Sequence, residues 1–80
     1  MSNLELYREI FINCLMLEED TELEELSTSN CDEWDSFVHV EMLSQMEKTF
    51  QIKMTKADIF QFSSYKSGIE ILISKGIELD

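Results

Sequence analysis

Glu33-Trp34-Asp35-Ser36-Phe37 opens the stretch of this chain that decides its fold. After it, Phe37, Val40, Leu43, Met46 and Phe50 recur at helical spacing, which predicts a helix from Ser36 to about Phe50. Asp and Ser are favoured capping residues, and an Asp-Ser pair at such a place commonly does nothing more than cap. The pair also sets a hydroxyl where a loop turns into a helix. The usual helpers of a reactive serine are missing: no Gly-x-Ser-x-Gly elbow surrounds Ser36, and the only histidine is His39. A helix start offers unpaired N–H groups and the positive end of a dipole, which suit a phosphate. Ser36 therefore reads as a place where something is attached rather than as a nucleophile that turns over.

Working outward, Leu4, Tyr7, Phe11, Cys14 and Leu15 line one face of a helix over residues 4–17, with Ser2 or Asn3 as its cap. Residues 18–35 read as a long acidic loop, with at most one helical turn, pinned to the core by Leu23 and Leu26. Gln51 to Met54 leads out of the central helix as an extended segment. Thr55 caps a short helix over 56–61. Ser63 or Ser64 caps a last helix over 64–75, and Gly76 is placed to end it. The chain has no proline and only two glycines, so little interrupts helical hydrogen bonding. The expectation is an all-α single domain over residues 1–80: a small bundle of three main helices plus one short helix.

Composition narrows the function. A chain of 80 residues leaves little room for a deep active-site cavity, and its 44% hydrophobic share argues against disorder. No apolar run reaches the roughly 20 residues that span a bilayer. The N-terminus has no basic stretch followed by an apolar one, so a signal peptide is not expected and the cytoplasm is. The net charge of −11 repels nucleic acid and anionic membranes. Before Ser36, Arg8 is the only basic residue among many carboxylates; afterwards five lysines nearly balance the acids. The clustered carboxylates lack the EF-hand pattern and read as a solvated surface, with no metal site. Cys14 falls on an apolar face and reads as a buried core residue. Cys31, in a polar loop, reads as a free thiol.

With these elements in order, the chain resembles the acyl carrier protein family. The resemblance rests on Trp34-Asp35-Ser36-Phe37, then Val40-Glu41-Met42, then Glu47-Lys48-Thr49-Phe50-Gln51-Ile52. It continues through Asp58-Ile59-Phe60 and Phe62-Ser63-Ser64-Tyr65 to Ile69, so it covers nearly the whole chain. It implies a carrier, not an enzyme, with no catalytic residues of its own. Ser36 would hold a covalent 4′-phosphopantetheine arm. A separate phosphopantetheinyl transferase would install it with magnesium: the serine oxygen attacks the β-phosphate of coenzyme A, and 3′,5′-ADP leaves. Asp35 would orient the transferase complex or its metal. The arm's thiol would hold an acyl group as a thioester at high effective concentration near each docked enzyme. The other partners would be an acyl- or aminoacyl-loading ligase and acyltransferase or synthase enzymes. The carrier itself is expected to be monomeric.

The departures from the family pattern point to a specialised pathway. Many fatty-acid carriers have a Gly-x-Asp-Ser-Leu pattern, with glycine three residues before the serine, and an acidic residue two after it; here Val38 takes the acidic place and Trp34 precedes Asp35. The form resembles discrete carriers of polyketide-like synthesis, surface-glycan acylation or amino-acid loading. The residues expected to meet partners are Trp34, Phe37, Val38, Glu41, Met42 and Glu47, with Val38 and Met42 forming an exposed apolar patch. Trp34 reads equally as a staple holding the loop to the bundle. His39 reads as a solvated helix residue near the arm. Phe37, Val40, Ile59 and Phe60 read as core or pocket rim. Met42 and Met46 could line the internal groove in which the family shelters acyl chains. Two alternatives stand beside the acyl carrier: an aminoacyl or peptidyl carrier, and a small acidic helical adaptor without a prosthetic group.

Overall fold

The computed structural model describes residues 2–79, which hold four helices and no strand. They are α1 (Asn3–Leu15), α2 (Ser36–Phe50), α3 (Lys56–Gln61) and α4 (Tyr65–Ser74). The long connection is the one between α1 and α2. The all-α expectation holds, and the bounds of α2 and α3 are those read from the sequence. The first helix ends two residues early, because Met16 turns into the left-handed region at φ 56° and the Leu17 N–H bonds back to the Ile12 carbonyl. The last helix begins at Tyr65, not Ser64, because Ser64 is its cap.

Side chains set the starts. Ser2 and Glu5 form a capping box on α1, Thr55 and Asp58 on α3, and Ser64 and Ser67 on α4. α2 differs: Asp35 caps it alone, its carboxylate accepting the Val38 N–H at 2.9 Å. At the far end of α4, Gly76 adopts φ +86°, a conformation costly for any residue with a Cβ. Its N–H bonds Ile73 and that of Ile77 bonds Leu72, closing the helix as a Schellman motif.

The core is aromatic. Tyr7, Phe11, Trp34, Phe62 and Tyr65 pack through mostly edge-on or tilted contacts. The Tyr7 hydroxyl donates to the Tyr65 carbonyl at 2.6 Å, and burial pushes its phenol far above the usual range. Gly68 makes this packing possible: a Cβ there would clash with the Tyr7 hydroxyl and lie 2.7 Å from Phe62 Cε1. Around the rings sit Leu15, Leu23, Met42, Met46 and Leu72, all but sealed from water. The radius of gyration is 11.5 Å, against about 11.6 Å for a compact chain of this length.

The acidic loop is held at several points. Leu23 is fully buried and Leu26 half-buried, as the sequence predicts. Ser27 pairs with Ser64 in an isolated antiparallel bridge, through Tyr65 N–H to Leu26 O and Thr28 N–H to Ser63 O, each 2.9 Å. No helical turn forms between α1 and α2. Cys31 is a free thiol in the loop, as expected, and it is buried against the core. Cys14 is half-buried, not fully enclosed. No helix among the described residues is long and apolar enough to cross a membrane.

Candidate functional site

Ser36 is the first residue of α2, and its side chain is exposed. The loop delivers it through Trp34, which is 5% exposed and packs edge-on against Phe11 at 5.4 Å. Trp34 is therefore the staple; little of it remains for a partner to touch. Its backbone N–H bonds the Cys31 carbonyl at 3.1 Å, which closes the turn that aims Asp35 and Ser36 outward. Asp35 is exposed and spends one oxygen on the cap. The Ser36 and Phe37 N–H groups find no acceptor among the described residues. Ser36 thus stands at a helix start whose donors are partly unspent.

His39 is not simply solvated. The Trp34 indole N–H, which can only donate, bonds its Nδ1 at 3.1 Å, so Nε2 carries the proton and donates to the Ile59 carbonyl at 2.9 Å. The ring thereby joins the loop, α2 and α3. Both nitrogens are engaged, so His39 is not poised to deprotonate Ser36.

A cleft of about 460 Å³ opens beside the serine, lined by Thr28, Trp34, Asp35, Ser36, His39 and Val40. A phosphoester fits here on three observations of the residues themselves: an exposed hydroxyl, free helix-start donors, and open space. Beyond Ser36, α2 and α3 each display apolar side chains. Phe37 is 80% exposed, Val40 63% and Phe60 82%. Phe37 also borders a second depression, of about 370 Å³, with Cys14, Met16, Val38 and Glu41. Burial pushes the Cys14 thiol up, and the Glu41 carboxylate adds to that.

Several sequence expectations change here. Met42 is fully buried and contributes to the core, so it cannot meet a partner. Val38 is only half-exposed. Phe37 is exposed, as expected of a residue that meets partners, and Val40 and Phe60, read from sequence as core or rim, are exposed as well. Glu47 is half-buried, and its Oε2 accepts the Met54 N–H at 2.7 Å, so it organises the segment after α2. Glu41 is exposed as expected and receives a hydrogen bond from Gln45 at 3.2 Å. Met42 and Met46 both pack in the core. Among the described residues, no three His, Cys, Asp or Glu side chains converge on a point that could hold a metal ion.

No protein-family model matches the chain, and no curated protein matches it either. The geometry of the site and the ordered pattern around Ser36 are what bear on its function.

Proposed function

We propose that this chain is an acyl carrier protein, holding cargo on a 4′-phosphopantetheine arm attached to Ser36 and presenting it to partner enzymes of a specialised pathway. The observation that carries the reading is the exposed Ser36 hydroxyl at the capped start of α2, within the Asp35-Ser36-Phe37 pattern. The engaged nitrogens of His39 support it further, since a serine without a base suits a residue modified by another enzyme. When bound, the arm supplies a thiol that stores acyl groups as thioesters. The chain's own residues supply position. Asp35 holds the helix start and offers its remaining oxygen to a transferase or its metal. The free N–H groups of Ser36 and Phe37 favour a phosphate. The apolar residues Phe37, Val40 and Phe60 give partners a surface to bury. The charge of the preceding loop steers basic partners toward it.

Intact mass spectrometry after incubation with coenzyme A, magnesium and a promiscuous phosphopantetheinyl transferase tests the reading. One phosphopantetheine is expected on the wild type and none on Ser36→Ala. No gain with a transferase that modifies a control carrier would leave the adaptor without a prosthetic group as the better account.

A further inference from the structure

The way from Ser36 into the bundle is closed by a ring. His39 lies one turn beyond the serine and bridges Trp34 to the Ile59 carbonyl, spanning the gap between α2 and α3. Its face lies over Phe62, centroids 5.3 Å apart, and Trp34 packs on the same Phe62 at 5.0 Å. Behind this layer Phe11 touches Trp34, Phe62 and Tyr65, with centroids between 5.1 and 5.8 Å. Tyr7 is tied to the Tyr65 backbone, and at Gly68 even one added carbon would strike Tyr7 and Phe62. Tyr7, Phe11, Phe62, Met42 and Met46 are at most 1% exposed. The space beside Ser36 lies outside this core, in the cleft bordered by Thr28, His39 and Val40.

From this packing we infer that cargo on the Ser36 arm stays outside the helical core, which restricts the carrier to short or polar acyl groups, amino- and hydroxyacyl groups among them. The inference rests on the carrier reading. A long hydrocarbon has two places to go. In water it keeps its apolar surface hydrated, which is unfavourable in proportion to its length. In the core it must displace close-packed rings and break the His39 and Tyr7 hydrogen bonds, because interiors packed to this degree do not yield a channel without loss. A short or polar group meets neither obstacle. The open cleft, with Thr28, Asp35 and His39 among its lining residues, accommodates it without rearrangement.

The test loads the full chain with butyryl, octanoyl and palmitoyl coenzyme A, using the promiscuous transferase, and confirms each product by intact mass. Melting temperature, hydrophobic-interaction retention and the ring resonances of Tyr7, Phe11 and Tyr65 are then compared. The expected melting temperature is constant to within about 1 °C across the series, because a domain this small would move several degrees on any appreciable added burial. Retention should increase with chain length and the core ring resonances stay in place. Melting temperatures that climb with chain length, with shifted Tyr7 and Phe11 resonances and flat retention, would show a sheltered chain and overturn the inference while leaving the carrier reading intact. Failure of every substrate to add mass, with the control carrier loaded, would overturn the carrier reading and this inference with it.

Discussion

Ser36, Trp34 and His39 divide the work at the scale of single residues. Trp34 anchors the turn, His39 ties that anchor to α3, and Ser36 is left exposed between them. The same scale fixes what the core tolerates. Gly68→Ala should destabilise the fold by about 2–3 kcal/mol, since the new methyl overpacks against Tyr7 and Phe62. Tyr7→Phe should cost only about 1 kcal/mol, the net worth of one buried hydrogen bond. Urea titrations of both variants check the order; an unchanged midpoint for Gly68→Ala would contradict the packing described. The two thiols offer another check. Burial pushes the Cys31 thiol up, and its contact with Glu33 adds to that, whereas Cys14 borders an open depression. A disulfide reagent under native conditions should therefore label Cys14 first. Faster labelling of Cys31 would mean that the loop opens more readily than its packing suggests. The pull of Cys31 into the core was not legible from its polar sequence neighbours, because it depends on the Trp34 anchor a few residues on.

Among elements, α2 shows most clearly what a sequence tells and what it withholds. Its limits were legible because Asp35 caps it and because Gln51 is followed by a non-helical run. Which of its faces is buried was not. Phe37 and Val40 form one apolar stripe with Leu43, while Val38 and Met42 form another with Met46. Hydrophobicity alone cannot choose between them. The structure buries Met42, Leu43, Met46 and Phe50 and exposes Phe37 and Val40. The choice goes with the His39 ring, which must reach Trp34 and Ile59 and so turns its side of the helix inward. The candidate site was legible at Asp35 and Ser36, whose types declare a helix start, and illegible at Phe60, whose exposure depends on how short α3 is docked. The Asp35 cap can be separated from any recognition role. Asp35→Ala should lose about 1 kcal/mol of stability, and Asp35→Asn should lose little, since asparagine caps equally well. Both should be modified more slowly by the transferase, because the charge is gone from each. Equal modification of wild type and Asp35→Asn would reduce Asp35 to a cap. At the other end, Gln51 holds φ 54°. Gln51→Gly should be neutral to stabilising by up to about 1 kcal/mol, relief of the left-handed strain being partly offset by the freedom glycine has when unfolded.

For the molecule as a whole, charge is the dominant variable. A net charge of −11 is held by a domain of about 29 × 28 × 19 Å, so self-repulsion opposes compaction and salt should raise the melting temperature. A melting temperature flat from low salt to near-molar salt would show that the loop carboxylates are too well solvated to matter. One ion pair acts in the other direction. Lys75 meets Asp58 at 2.7 Å, both side chains largely covered, and its ammonium holds the Asp58 carboxyl below the usual range, helped by the Thr55 N–H. A carboxyl with a lowered folded value binds protons more readily when unfolded. Its contribution is thus complete above the unfolded value of about 3.9 and fades as pH falls through the lower folded one. The stability gap between wild type and Asp58→Asn, which keeps the α3 cap, should be constant from neutral pH to mildly acidic conditions and close below about pH 4. A gap that persists in strong acid would assign the effect to packing instead of charge. The central claim concerns one atom, the Ser36 hydroxyl oxygen, and peptide mass spectrometry of the protein purified from the cells that make it tests that claim most directly. The expected result is a phosphopantetheine on the peptide containing Ser36, with a free or acylated thiol at its end. A Ser36 peptide that is unmodified in every molecule, and stays so after treatment with coenzyme A and an active transferase, would contradict it.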